Sequence, residues 1–445
     1  MFSNYLKLAL RVLHRNKFFT GISLFGISFT LTILMLMVAF LHSQFGAKNP
    51  VSKTDDLVYM RHLKMAMVQN DTIWTKDSTQ VDGIWKYDST FQNVNNNIST
   101  SISWYGKKFL DSYFRQLNSA EKFTFIVPTS KYNVYVNSVK IDITTSYVDE
   151  QYFDIFDFKL LEGNFISKAD IDQKAYMAVI TSELAKKYFG STNGIIGKQM
   201  LVDGKNFTVK GIIEKAKMVN LAINGQLFVP SSILPDDVYE TGYFGNYMAV
   251  FLAKNGNIDA VKAEIKDIVS RVPFLDPSRT NGIAYNQIEA MPFTFQESLA
   301  RDVIYMEDGA ESLFYLRWVV FALIGIFILV PTLNLINLNM SRIMDRSAEI
   351  GVRKAFGADS NGILIQFIFE NVILTFIGGL LGMIFTIFLI RLSNNLNLLG
   401  ELVLEFDILF FALSFFITIV FGVISGFIPA SKMAKVHIVE ALKYK

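Results

Sequence analysis

The chain contains no cysteine. Disulfides, thiolate metal sites and a cysteine nucleophile are therefore excluded. Histidine is scarce: His14, His42, His62 and His437 are scattered, and no pair has metal-ligand spacing. No G-x-x-x-x-G-K-[ST] motif occurs. Gly194-Ile195-Ile196-Gly197-Lys198 has the wrong glycine spacing and no following Ser or Thr, so no nucleotide is expected in a P-loop. No G-x-G-x-x-G opens a helix after a strand. Excess charge is absent too: 42 Lys and Arg stand against 40 Asp and Glu. No dense basic tract lies outside the flanks of the apolar runs, and no nucleic-acid partner is expected. The chain is expected to hold no cofactor and no metal, and not to be an enzyme by itself.

Long apolar runs are present. Residues are 51% hydrophobic and 18% charged across 445 positions, a mixture that implies a few membrane spans and a sizeable soluble part. Four runs approach the roughly 20 apolar residues that a helix needs to cross a bilayer. They cover about 18–41, 314–339, 363–390 and 408–428. The first reads as an uncleaved signal anchor, because its apolar stretch is too long for a signal peptide.

Lys and Arg set the orientation. Lys7, Arg11, Arg15 and Lys17 precede the first span. Arg342, Arg346, Arg353 and Lys354 lie in the 340–362 connector, and Lys432, Lys435, Lys443 and Lys445 lie in the 429–445 tail. The 391–407 connector instead carries Glu401, Glu405 and Asp407. With four spans, the basic segments share one side. Both termini are then cytoplasmic and residues 42–313 lie outside. Residues 1–17 read as an amphipathic helix at the cytoplasmic interface, with Lys7, Arg11 and Arg15 on one stripe and Leu6, Leu10 and Leu13 on another. A basic flank that only fixes topology fits equally.

The outer region mixes strand and helix signals, so an α+β domain is expected. Tyr132, Val134 and Val136 alternate with polar residues, as do Val139, Ile141 and Ile143. Asp203-Gly204 reads as a tight hairpin turn. Helices are expected from Ser182, as N-cap, to Phe189 and from Ile258 to Val269. The Asn- and Ser-rich stretch Gln92 to Ser103 reads as a surface loop. The carboxylate pairs Asp154/Asp157 and Asp170/Asp172 read as solvated surface.

The connector between the second and third runs, Glu349-Ile350-Gly351-Val352-Arg353-Lys354-Ala355-Phe356-Gly357-Ala358, has the shape of a handle that a soluble partner could grip. Glu349 and Arg353 form an i, i+4 pair, and Arg346 and Glu349 are i, i+3 neighbours. Ile343 and Ile350 are expected to face the bilayer or the adjoining spans. Gly357 is placed to end the helix. A charged interfacial loop that only sets topology is the competing reading. Gly378/Gly382 and Gly422/Gly426 form G-x-x-x-G pairs in the third and fourth spans, read as helix-packing sites within or between chains. Pro331, Asn334 and Asn337 mark either a bend or simple interfacial polarity in the second span. Glu370 reads as pairing or capping locally.

Three blocks of sequence resemble the MacB/FtsX type of ABC transporter permease. One is Leu10 to Lys17. A second runs through Tyr152-Phe153, Leu161-Glu162-Gly163, Val179-Ile180, Phe189-Gly190, Ile196-Gly197 and Val209-Lys210-Gly211. The third holds Glu349-Ile350-Gly351, Arg353-Lys354-Ala355, Gly357-Ala358, Glu370, Gly378-Gly379, Gly382, Gly426, Pro429-Ala430 and Glu440-Ala441-Leu442. The resemblance implies a MacB-like periplasmic core domain, an FtsX-like membrane domain and a bacterial inner-membrane location. It implies a dimer, of identical or different permease chains, and a cytoplasmic ABC ATPase subunit that carries the ATP and Mg. A separate polypeptide is expected for that ATPase. The implied mode of work is mechanotransmission, in which ATP-driven movement of the ATPases changes the shape of the outer domains. Arg346, Glu349, Ile350, Gly351, Arg353, Lys354 and Gly357 then become the ATPase-coupling residues. Membrane lipids and a periplasmic adaptor are further expected partners. Export, or extraction from the membrane, of a lipoprotein, peptide, drug or lipid is the expected function. A relay that activates a periplasmic cell-wall hydrolase and a membrane-anchored ligand sensor are the alternatives. Residues 43–126 depart from the family pattern.

Overall fold

The computed structural model describes residues 17–46, 49–81, 84–136, 138–234, 242–280, 282–344, 347–357, 359–396, 398–399 and 402–434. It divides into two units. The described parts of Met1–Gly46 and Tyr315–Lys445 make a helical unit, and those of Ala47–Phe314 make a sheet unit.

The first helix, α1 (Lys17–Phe45), belongs to the helical unit. The sheet unit follows with β1 (Leu57–Val81), β2 (Ile84–Tyr105), α2 (Lys107–Tyr113), β3 (Ala120–Val136) and β4 (Val139–Val148). Next come α3 (Tyr152–Ile155), β5 (Leu160–Gly163), α4 (Lys168–Asp172), β6 (Met177–Thr181) and α5 (Ser182–Phe189). Then follow β7 (Gln199–Val202), β8 (Lys205–Ile213), β9 (Leu227–Pro230), β10 (Phe244–Gly245) and β11 (Met248–Ala253). The unit closes with α6 (Ile258–Ser270), β12 (Gln287–Thr294) and α7 (Phe295–Val303).

The strands join in the order β10-β2-β1-β11-β3-β4-β9-β6-β8-β5, with β12 on β1 and β7 on β8. Two pairings, β4 with β9 and β6 with β8, are parallel; the others are antiparallel. Alternation explains the β3–β4 hairpin: Tyr132 opposes Ile143 and Val134 opposes Ile141, so one face presents apolar side chains. At the β7–β8 turn, Asp203 and Gly204 both have positive φ, 52° and 71°, the backbone a two-residue type I′ turn requires. An aromatic cluster of Tyr152, Phe153, Phe158 and Phe228 fills part of the interior, with ring centroids 5.0–5.9 Å apart.

Three readings of the sequence need correction here. Gln92 to Ser103 lies within β2 and pairs with β1 from Ile73↔Gln92 to Leu63↔Ser103; it is not a loop. Asn and Ser disfavour strands weakly, and a long antiparallel partner outweighs that preference. The N-cap of α5 is Thr181, whose Oγ1 accepts from the Leu184 amide at 3.3 Å, so Ser182 is the first helical residue. Asp170 is not solvated surface. It is 8% exposed, closes a capping box with Ser167 and pairs with Lys210.

The helical unit continues with α8 (Gly309–Met344), α9 (Ser347–Ala355), α10 (Ser360–Asn395) and α11 (Ile408–Ala434). Thr20–Phe45, Gly309–Phe327 and Asn361–Asn395 are long and apolar enough to cross a membrane. The remaining long helix, α11, has 27 residues and packs along α10. α8 continues without a break through Pro331, Asn334 and Asn337.

Candidate functional site

The short helix α9 carries the connector between α8 and α10. Its residues divide between two faces. Ile350 and Arg353, an i, i+3 pair, point toward α10. Ile350 is 4% exposed and packs with Ile363 and Phe367. Arg353 Nη1 donates to Gln366 Oε1 at 3.0 Å. On another face, Val352 and Phe356 stand at i, i+4 and are both exposed, Phe356 at 89%. Gly351 is buried and Lys354 half-buried. Gly357 has φ +87°, a left-handed residue that suits glycine, and its amide returns to the Lys354 carbonyl at 3.0 Å, which ends the helix. Arg346 lies outside the described residues. The backbone of Glu349 is helical, while its side chain, and those of Arg342 and Ile343, lie outside the described set.

Sequence reading placed Glu349 beside Arg353 at i, i+4, a pairing that lies outside the described side chains; the structure adds Gln366 of α10 as a partner of Arg353. Gln366 Nε2 in turn donates to Glu370 Oε1 at 3.0 Å. Ile363, Gln366, Phe367 and Glu370 recur at helical spacing, so they form one face of α10. That spacing was visible in the sequence, but nothing in it showed that α9 lies against this face.

The four G-x-x-x-G glycines sit at contacts within this chain. A Cβ on Gly378 would come 2.6 Å from Ile27 of α1, and one on Gly382 would come 2.9 Å from Leu31 and the Ser28 carbonyl. On α11, Gly422 lies against Thr375 and Gly426 against Asn371. Close approach is what small residues provide between membrane helices. Thr32 Oγ1 donates to the Ser28 carbonyl at 2.7 Å and lies 3.2 Å from the Gly382 carbonyl.

The sheet unit offers no cluster of three or more His, Asp or Glu suited to a metal among the described residues. Several of its ionisable groups have defined partners. Asp149 accepts from Thr124 Oγ1 at 2.6 Å and from the Phe125 amide at 2.7 Å; burial pushes its carboxyl up to about 7. His62 packs on Trp104 with ring centroids 5.2 Å apart. Burial, then the charges of Arg301 and Arg61, lower His62 to about 4. Asp154 pairs with Lys122 at 2.8 Å on the surface.

Two family models match successive parts of the chain. The family described as MacB-like periplasmic core domain matches residues 20–268, and the FtsX-like permease C-terminal family matches residues 321–438. The pyoverdine export ATP-binding/permease protein PvdT of Pseudomonas savastanoi pv. phaseolicola is 28% identical over 308 residues, 67% of this chain and 43% of that protein. The macrolide export ATP-binding/permease protein MacB of Bdellovibrio bacteriovorus is 27% identical over 292 residues, 64% of this chain and 41% of that protein. The chain thus spans less than half the length of these relatives. The periplasmic region of MacB from Actinobacillus actinomycetemcomitans aligns with a TM-score of 0.33 at 16% identity, over 46% of this chain and 85% of that one. The chain belongs to the MacB/FtsX-type family of ABC transporter permeases, with a periplasmic α+β domain and an FtsX-like membrane part.

Proposed function

We propose that this permease works by mechanotransmission in the bacterial inner membrane. Four helices, α1, α8, α10 and α11, cross the bilayer, with both termini in the cytoplasm. α9 is the cytoplasmic handle gripped by a partner ABC ATPase, which binds ATP and Mg. Closure of the ATPase moves α9, the spans follow, and the periplasmic domain changes shape. The working unit is a dimer of permease chains that engages a periplasmic adaptor. It exports, or extracts from the membrane, an amphiphilic substrate such as a lipoprotein, peptide, drug or lipid.

One observation carries this reading. α9 is not a bare loop: Ile350 and Arg353 anchor it to α10 while Val352 and Phe356 remain outward. A segment needed only for topology would require its charges and nothing more. A handle needs an inward face that holds the span and an outward face that holds the partner. The basic residues Arg353 and Lys354 favour the cytoplasmic side for it.

The test is purification of the full chain from its native membrane in mild detergent, with cross-linking from the 347–357 helix. An ATPase that co-purifies, cross-links there and depends on this chain for its activity is the expected result. The Gly351→Trp variant, which forces an indole into a buried position, should insert normally and lose stimulation of the ATPase. Normal stimulation in that variant would remove the handle role.

A further inference from the structure

We infer that Gln366 and Glu370 are positioning residues that latch α9 to α10, so that a force on α9 turns α10 instead of slipping past it. This rests on the coupling role proposed for α9.

The latch is a bridged charge pair. The Arg353 guanidinium donates to the Gln366 carbonyl oxygen, and the Gln366 amide nitrogen donates to the Glu370 carboxylate, both at 3.0 Å. Gln366 is 8% exposed and Glu370 3% exposed. A carboxylate this deeply buried in a long apolar helix is costly. An apolar side chain could fill the same place beside Ile363 and Phe367 at no such cost, and replacing buried ionic groups by apolar ones is often neutral or stabilising. Stability alone therefore does not account for Glu370. Direction does. The apolar contact of Ile350 with Ile363 and Phe367 is non-directional and lets one helix slide over another. Only the Arg353–Gln366 bond crosses between the helices; the Gln366–Glu370 bond lies within α10 and orients the Gln366 amide so that its oxygen accepts from Arg353, which makes the contact between α9 and α10 directional.

The latch also leads onward. Asn371, the next residue of α10, lies against Gly426 of α11, and Thr375 one turn later lies against Gly422. A further turn on, Gly378 and then Gly382 meet Ile27 and Leu31 of α1. Rotation of α10 about its axis would therefore reach both neighbours through contacts too tight to absorb it, since packed interiors transmit strain.

The test uses the full chain, with the ATPase that co-purifies with it, in lipid nanodiscs. ATP turnover that depends on the chain is resolved into kcat and the KM for ATP. Gln366→Leu and Glu370→Leu should keep the ATPase bound and lower kcat about tenfold, with KM held within about twofold. Glu370→Gln keeps an acceptor oxygen for Gln366 and should restore most of the turnover lost in Glu370→Leu. Wild-type turnover in Gln366→Leu would overturn the latch, as would equal impairment in Glu370→Gln and Glu370→Leu. Should Gln366→Leu fail to insert, the contrast between the two Glu370 variants decides. If no ATPase accompanies the wild-type chain, the coupling role of α9 falls and the latch falls with it. A coupled wild type with an unaffected Gln366→Leu overturns the latch alone.

Discussion

The sheet unit and the helical unit both bury apolar side chains but differ in what they expose and in the polar groups they bury. In the sheet unit the interior is Phe, Tyr, Ile and Val, and the exposed positions are rich in Lys, Asp and Glu. In the helical unit Phe385, Phe388 and Leu409 are more than half exposed, while Ser28, Thr32, Thr375, Thr386, Gln366 and Glu370 are buried. The difference is one of solvent. In water, apolar area drives burial. In lipid, the surroundings are as apolar as leucine, so helices associate through close packing and hydrogen bonds. Polar groups follow the same division. The sheet unit satisfies its buried carboxylates with backbone amides, hydroxyls and lysines, as at Asp149 and Asp170. The helical unit turns its hydroxyls back onto carbonyls one turn earlier, as at Thr30, Thr32 and Thr386.

The contrast can be broken most forcefully by truncating aromatics. Phe228→Ala empties a site that is 0% exposed among Tyr152, Phe153 and Phe158, and should cost about 4 kcal/mol. Phe385→Ala, in a residue 55% exposed, should be close to neutral in lipid. Thermal unfolding of the reconstituted chain, followed by near-ultraviolet circular dichroism, measures both. Equal losses would mean that the two interiors obey one rule.

A charge placed on the outside sharpens the comparison. Leu380 of α10 and Leu161 of β5 are 39% and 48% exposed. Leu380→Asp sets a carboxylate near the middle of a span and should cost about 3 kcal/mol, read as loss of membrane insertion. Leu161→Asp faces water and should change stability by less than about 0.5 kcal/mol.

The smallest net effect is in the pH dependence of the unmutated chain, where two opposing contributions of the sheet unit largely cancel. Asp149 is raised to about 7, so the folded state holds a proton that the unfolded state has released. Its contribution is complete below the ordinary carboxyl value of about 4 and is lost as pH rises through about 7. His62 is lowered to about 4, so its contribution is present above the ordinary imidazole value of about 6.5 and is lost as pH falls through about 4. The two slopes oppose each other. Asp149→Asn should leave stability rising with pH through the His62 window, and His62→Gln should leave it falling through the Asp149 window. Denaturant titration from pH 4 to 7 reads the slopes; unchanged slopes in either variant would reject that group.

Several local features were legible because their cause is local. The helix Ile258 to Val269 shows its buried stripe at helical spacing, and α6 closes one residue later with Asn257 as its cap. The Asp203-Gly204 turn announces itself through two residues that tolerate positive φ. The Gln92 to Ser103 stretch was misread because its strand character comes from β1, whose partnering residues begin about twenty positions earlier. Asp170 looked solvated because its cation, Lys210, lies forty residues away. The candidate site divides in the same way. Ile350, Gly351, Arg353 and Gly357, proposed above as part of a handle, stood out in the sequence, but Gln366 did not, because a glutamine in an apolar run has no pattern that names its partner.

The sequence alone determined the apolar runs, the basic residues that flank them and the lack of a G-x-x-x-x-G-K-[ST] pattern in these residues, since each depends on neighbours along the chain. Only the tertiary structure decided that α9 lies on α10, that Arg353 reaches Glu370 through Gln366, and that the four glycines meet α1 and α10 within one chain. Those contacts depend on which helix face meets which, and helix periodicity gives each face without naming what packs against it.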